Sequence, residues 1–178
     1  MTSEYLNAVI AEGSAEMAII DVLLERNALI FARDDLLEEE VLRVRNGKSF
    51  ARKHLNKAMD KKVKIYRILD SPRENFNLPK AYEKKVVLPV NNIYTQPEIE
   101  ILYILYHDDF NKYKRSKLKP SIFAKKMYKD LDSVKAYNDV YDFWNAHFEE
   151  LISVLHKHKG MNSNHYTIYD LVKSELKK

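Results

Sequence analysis

The stretch YLNAVIAEGSAEMAIIDVLLERN, residues 5–27, determines the expected fold. It opens with a short apolar run, Tyr5 to Ala11, which is typical of a buried strand. After Gly13 the apolar residues recur at helical spacing, and Ser14 is a suitable N-cap for that helix. A strand that leads into a helix through one glycine is typical of the first unit of an α/β fold.

Further strand and helix patterns follow along the chain. VKIYRILD (63–70) and KKVVLPVNNIY (84–94) predict strands, and SFARKHLNKAMD (49–60) predicts a helix before the first of them. The pattern of residues 28–45 leaves their structure open: ALIFA and VLRVR are strand candidates, and DDLLEEEV between them is a candidate helical turn. Residues 95–98 (TQPE) combine a capping box with a proline at the first helical position, before the helix EIEILYILYH. Strands that alternate with helices predict a mostly parallel sheet of about four strands with flanking helices.

The strand pattern ends at His107, and the rest of the chain is predicted to be helical. Helical segments are expected near residues 120–130, 132–158 and 166–177. A boundary in the basic loop that follows the last α/β helix divides the chain into two parts. We therefore predict an α/β domain at residues 1–110 and a basic, helical C-terminal extension at residues 111–178.

The composition excludes several chemistries. The 178 residues contain no cysteine, which removes disulfides, thiolate zinc sites and cysteine nucleophiles. With three glycines, the chain contains neither G-x-G-x-x-G nor the Walker A pattern. No apolar stretch approaches the roughly 20 residues that span a bilayer, and the acidic N-terminus lacks the basic region of a signal peptide. We therefore expect a cytoplasmic protein without a membrane partner.

Acidic residues follow the predicted strands. Glu12 follows the first strand and Asp70 ends the second, while Glu98 and Glu100 begin the helix after the last one. Glu16 lies one helical turn beyond Glu12. Functional groups collect at the carboxyl ends of parallel strands, and carboxylates that converge there repel one another unless a cation lies between them. An all-oxygen site of this kind suits Mg²⁺ or Mn²⁺. Alternatively, each acid only caps a helix or faces solvent.

Two of these segments resemble a known family. AVIAEGSAEMAIIDVLL (8–24) resembles the first motif of Toprim domains, which occur in primases, topoisomerases, small ribosomal-RNA maturation nucleases and OLD-type nucleases. In that motif a strand ends in Glu-Gly, and an acid often follows three residues later; here these are Glu12, Gly13 and Glu16. KIYRILDSP (64–72) resembles the second motif, in which a strand ends in Asp-x-Asp. The resemblance covers about half of the chain.

The second motif departs from the family pattern. Asp70-Ser71-Pro72 stands where the family has Asp-x-Asp, so the second acid is missing. Glu74, Glu98 and Glu100 are the candidates to replace it in space. We prefer Glu98, because it stands at a predicted helix N-terminus beside a strand end.

The resemblance implies Mg²⁺-dependent phosphoryl transfer on nucleic acid, most simply a nuclease. Glu12 would be the general base or a metal ligand, and Glu16 and Asp70 metal ligands, with Glu98 as the substitute third acid. OLD-type relatives often act in phage defence beside an ATPase, so the resemblance also implies a partner of that kind. The alternative is a catalytically silent Toprim-fold module that binds nucleic acid or a partner protein.

A basic stretch, KYKRSKLKPSIFAKKMYK (112–129), contains eight basic residues. Tyr113, Phe123 and Tyr128 lie between them, and aromatic rings stack on unpaired bases while cations neutralise phosphates. The alternatives are a solvated helix face, or a helical adaptor with an exposed apolar patch. The predicted nucleic-acid-binding residues are Lys112, Lys114, Arg115, Lys117, Lys119, Lys125 and Lys126.

Overall fold

Three parallel strands form the sheet in a computed structural model that describes residues 4–129 and 131–177. They are β1 (Leu6–Ala11), β2 (Val63–Leu69) and β3 (Val86–Tyr94), in the order β1-β2-β3. The α-helices of the described residues are α1 (Ser14–Glu25), α2 (Gly47–His54), α3 (Ile101–Tyr106), α4 (Phe110–Ser116), α5 (Pro120–Met127), α6 (Tyr137–Ala146) and α7 (Phe148–Met161). A parallel sheet with flanking helices confirms the predicted α/β class.

Strands β1 and β2 are buried on both faces, which explains why β1 appears in the sequence as a short apolar run. In β1, Ala8 and Ile10 point into one hydrophobic cluster, whereas Val9 and Ala11 point into the other. The smaller cluster lies under α2. The larger one is covered by α1, α3 and the helices that follow residue 111, so the C-terminal helices pack against the same core as α1. Trp144 of α6 is fully buried there.

Residues 28–45 do not add a complete fourth strand. Two short 3₁₀ turns, Arg33–Asp35 and Leu37–Glu39, bend this segment along the outer side of β1. Leu36 and Leu42 each form a parallel bridge to β1, with Asn7 and Ile10. At Leu42 the N–H donates to Val9 O at 2.8 Å, and the carbonyl accepts from Ala11 N–H at 3.0 Å. The sheet therefore has three strands and a short bridged segment, whereas about four strands were predicted.

The predicted start of the helix after β3 is wrong, because α3 begins at Ile101 rather than at Pro97. Thr95 does not act as a cap. Its N–H and its Oγ1 both donate to Leu69 O, at 2.8 and 3.2 Å, which continues the pairing of β3 with β2. Thr95 therefore pairs with β2 and does not start the helix, although the local sequence has a capping pattern.

The C-terminal helices differ from the prediction in two places. The segment predicted at 132–158 forms two helices, because His147 adopts a non-helical conformation between α6 and α7. The segment predicted at 166–177 forms 3₁₀ turns around an extended Val172, which bridges Leu29. Within the described residues, every helix is too short or too polar to cross a bilayer.

Candidate active site

Two adjoining cavities open at the carboxyl edge of the sheet. The first, which we call the outer cavity, has a volume of about 430 Å³. It is lined by Glu12, Gly13, Ser14, Glu16, Arg43, Arg45, Ile68, Leu69, Asp70 and Glu74. The second, the inner cavity, has a volume of about 150 Å³ and is lined by Gly13, Ser14, Ala15, Glu16, Asp70, Glu98, Glu100 and Lys135. Because Glu16 and Asp70 line both cavities, the two form one site.

The structure thus places the four predicted acids at one edge of the sheet. Glu12 and Asp70 are exposed at the ends of β1 and β2. Glu16 lies in the first turn of α1, and Glu98 precedes α3. The parallel directions of the strands produce this arrangement, since residues that follow parallel strands emerge at the same edge.

Gly13 allows Glu16 to reach this edge. The Glu16 carboxylate folds back over Gly13 so closely that a Cβ atom on residue 13 would overlap Glu16 Oε2. The Gly13 backbone is extended, at φ −88°, so close approach and not positive φ requires the glycine. Burial raises the pKa of Glu16, and the neighbouring charges of Asp70 and Glu12 raise it further. The Glu-Gly-x-x-Glu spacing therefore creates a partly buried carboxyl at the end of β1.

Glu98 and Glu100 have different surroundings, although both line the inner cavity. Glu98 Oε2 accepts a hydrogen bond of 3.0 Å from the N–H of Ser121, in the first turn of α5. Glu100 is 5% exposed, and its Oε1 lies 3.8 Å from Lys135 Nζ. Burial raises the pKa of Glu100 to about 7; the charges of Glu98 and Glu16 contribute, and Lys135 opposes them. One of the two acids therefore caps a helix, while the other is a buried carboxyl beside a cation.

Arg43 and Arg45 were not among the residues singled out from the sequence. Both are exposed and line the outer cavity together with the acids. Arg43 Nη2 donates to Ser14 Oγ at 2.7 Å, which holds the guanidinium beside the start of α1. The signal was present in VLRVR: side chains two residues apart on an extended segment point the same way. The pairing of Leu42 with β1 brings this segment to the site.

Glu74 reaches the outer cavity on the loop that follows β2. Arg67 of β2 anchors this loop: Arg67 is buried, its Nη2 lies 3.6 Å from Glu74 Oε2, and its guanidinium lies over the Phe76 ring. Burial lowers the pKa of Arg67. Burial also raises the pKa of Glu74, as do the charges of Glu12 and Asp70. Glu74 therefore adds a further carboxyl to the same cavity.

A metal ion was expected at these acids. The donor chemistry fits a hard divalent cation, because carboxylate oxygens line both cavities and raise one another's pKa values. Across residues 4–129 and 131–177, however, no group of three or more potential ligand side chains converges closely enough to hold an ion. Ion binding would require the carboxylates at this edge to move closer together.

The basic stretch has a different character from the one predicted. Phe123 and Tyr128 are buried, and Tyr128 stacks on His107 with ring centroids 4.0 Å apart. Tyr113 meets the Phe123 ring edge-on. The predicted stacking of these rings on nucleic-acid bases is therefore wrong, because their apolar faces form part of the core.

The seven basic residues predicted to bind nucleic acid are all exposed. Lys125 and Lys126 line a groove of about 950 Å³ that also contains Lys135 of the inner cavity. The other five lie on α4 and in the segment that connects it to α5: Lys112, Lys114, Arg115, Lys117 and Lys119.

Comparison with protein-family models, with curated proteins and with solved structures gives no match to this chain. The fold and the site define an α/β protein with an acidic site, lined also by arginines, at the carboxyl edge of a parallel sheet.

Proposed function

We propose that this chain is a phosphoryl-transfer enzyme acting on nucleic acid, most simply a Mg²⁺- or Mn²⁺-dependent nuclease of Toprim-like architecture. The supporting observation is the outer cavity, which Glu12, Glu16 and Asp70 line together with Arg43 and Arg45. Carboxylates supply the oxygens that a divalent cation prefers, and arginines bind phosphate through several N–H groups at once. A phosphate ester uses both, and the phosphodiester of a nucleic acid is the one that the proposed nuclease would cleave.

Each site residue has its own role in the proposed reaction. Glu16 and Asp70, together with Glu98 or Glu100, would hold the ion, which when bound polarises the phosphodiester and lowers the pKa of a water molecule. Glu12 is exposed beside them and accepts the proton of the attacking water. The cations of the outer cavity orient the phosphate against the acids. Phage defence beside an ATPase partner remains an expectation from the Toprim resemblance.

A second function is favoured by Lys135. Its ammonium group lies 3.8 Å from Glu100 Oε1 and supplies a positive charge inside the acidic cavity. The lysine ammonium group partly neutralises carboxylates that would otherwise attract a metal ion. This contact, with the splayed acids, supports the alternative of a catalytically silent Toprim-fold module that binds nucleic acid or a partner protein.

Cleavage of a nucleic-acid panel separates the two functions. Single- and double-stranded DNA and RNA would be incubated with Mg²⁺, Mn²⁺ or EDTA and with wild type, Glu12→Ala or the control Glu83→Ala. Glu83 is exposed and lines neither cavity. If the chain is a nuclease, we expect metal-dependent cleavage that falls about 10²–10⁴-fold in Glu12→Ala and persists in Glu83→Ala. Binding without cutting by folded wild type under every metal condition would establish the silent module instead.

A further inference from the structure

The charged residues that line the groove beside the inner cavity are mainly positive. It lies between α5 and residues 131–135 and has a volume of about 950 Å³. Its charged lining residues are Lys125, Lys126, Lys129, Lys135 and Asp132. We call this surface the lysine groove. Four cations and one acid make it a suitable surface for a polyanion, since phosphates release counterions when lysines neutralise them.

The lysine groove continues into the candidate active site. Lys135 lines both the groove and the inner cavity, and Glu16 with Asp70 lines both the inner and the outer cavity. Two contacts fix α5 and residue 135 next to the acids: the N–H of Ser121 donates to Glu98, and Lys135 pairs with Glu100. Shared lining residues therefore link the three cavities in order, from the arginines of the outer cavity through the acids to the lysines of the groove.

We propose that these linked cavities are the binding path for one strand of DNA or RNA. Arg43 and Arg45 hold phosphates on one side of the acids, and the lysine groove holds phosphates on the other. The intervening phosphodiester then lies at Glu16 and Asp70. The position of this phosphodiester rests on the proposed function, whereas the path itself does not.

The dimensions of the path favour one strand over a duplex. The inner cavity, at about 150 Å³, is too small to enclose a base pair, so only the sugar–phosphate backbone can lie there. The aromatic rings near the groove, Phe123 and Tyr128, are buried in the core. Binding therefore depends on phosphate charge and not on base stacking, so it tolerates changes of sequence and weakens steeply with salt.

The test is a binding titration in EDTA, where metal-dependent cleavage cannot occur. A short fluorescent single-stranded oligonucleotide and its duplex would be titrated by anisotropy against wild type and four variants. Two variants remove the flanks of the path: Arg43→Ala/Arg45→Ala and Lys125→Ala/Lys126→Ala/Lys129→Ala. Arg52→Ala/Lys53→Ala/Lys84→Ala is the matched control, since these cations are exposed and line none of the three cavities. Lys112→Ala/Lys114→Ala/Arg115→Ala removes the α4 cations predicted from the sequence.

The path predicts that wild type prefers the single strand. Both flank variants should weaken that binding at least about tenfold, and loss of the three groove lysines should reduce the log–log salt slope by about 2. The control should bind like wild type. Three results would each overturn the path: stronger binding to the duplex, an equal loss in the control variant, or a loss confined to the α4 variant. Far-ultraviolet circular dichroism shows that each variant is folded.

The experiments test the binding path and the proposed nuclease activity separately. If wild type cuts nucleic acid while both flank variants bind normally, the path is wrong and the nuclease stands. If wild type never cuts but both flank variants lose single-strand binding, the path stands and the nuclease is wrong. Glu12→Ala should bind the single strand at least as well as wild type, because it removes a negative charge from the path and no phosphate contact.

Discussion

The outer and inner cavities share Glu16 and Asp70 but differ in the surroundings of Glu12 and Glu100. In the outer cavity, Glu12 is exposed at the strand end, and two arginines line the same cavity. In the inner cavity, Glu100 is 5% exposed and has one lysine at 3.8 Å. Solvent therefore screens the charge of Glu12 more than that of Glu100.

The comparison shows that residue type alone does not determine the behaviour of these acids. The same edge of the same sheet provides an exposed carboxylate, Glu12, beside arginines and a buried carboxyl, Glu100, whose pKa is raised. We therefore expect substitutions in the inner cavity to alter the pH dependence of folding. Substitutions in the outer cavity should alter binding and catalysis with little effect on stability.

The largest expected effect comes from Glu100→Gln. The pKa of Glu100 is about 7 in the folded protein against an ordinary value of 4.5, because burial disfavours the charged form. Between these values the native state keeps a proton that the unfolded chain has lost. The free energy of unfolding therefore falls as pH rises through this window, by up to roughly 3 kcal/mol, and then levels off.

Urea unfolding of the metal-free protein across this pH range measures the effect. Glu100→Gln should lack most of the decline and be more stable than wild type near neutral pH. A smaller slope from Glu16 should remain, since its pKa is also raised. Parallel curves for wild type and Glu100→Gln would show that the inner cavity does not hold a proton at Glu100.

Gly13→Ala tests a residue that lines both cavities. The new methyl group would displace the Glu16 carboxylate, and misplacement of a site residue by about 1 Å costs on the order of 100-fold in rate. Stability should change little, because the backbone conformation suits alanine and the displaced group is the end of a flexible side chain. The measurements are cleavage rate and urea midpoint. Gly160→Ala is the control, since its added Cβ meets no atom within 4 Å.

Much of the fold could be predicted from residues 5–27 and the two later strands. Burial on both faces produces apolar runs of strand length, and the change to helical spacing after Gly13 gives the first β–α unit. The start of α3 could not be predicted in this way. The Thr95 side chain pairs with Leu69 O, 26 residues away in sequence, and local capping rules do not contain that contact.

The candidate site likewise combines residues that local sequence patterns predict with residues that only long-range contacts bring there. Acids that follow parallel strands can be expected at one edge from the strand pattern alone. The position of Lys135 could not be predicted, because this residue reaches Glu100 only through the packing of the C-terminal helices on the core. Arg43 and Arg45 depend on the pairing of one residue, Leu42, with β1. Contacts made by single residues across the fold leave little periodic signal in the sequence.

A smaller effect is expected from Glu98→Ala, which removes the carboxylate that caps α5. Loss of a capping oxygen for the Ser121 N–H should lower the free energy of unfolding by about 1 kcal/mol. Glu12→Ala, at an exposed position, should change it by less than about 0.5 kcal/mol. Urea unfolding at fixed pH compares the two. An equal, small change in both would mean that Glu98 does not stabilise α5.

The smallest effect, and the most direct test of the comparison, comes from Lys135→Met. The ammonium group lowers the pKa of Glu100, so its removal should raise that pKa further. Because the Lys135 side chain is 66% exposed, the shift should be less than about one unit. NMR titration of the Glu100 carboxyl carbon measures it, with Arg43→Met as the matched loss of charge in the outer cavity. If Arg43→Met shifted Glu100 equally, the two cavities would be electrostatically one site and the distinction between them would be wrong.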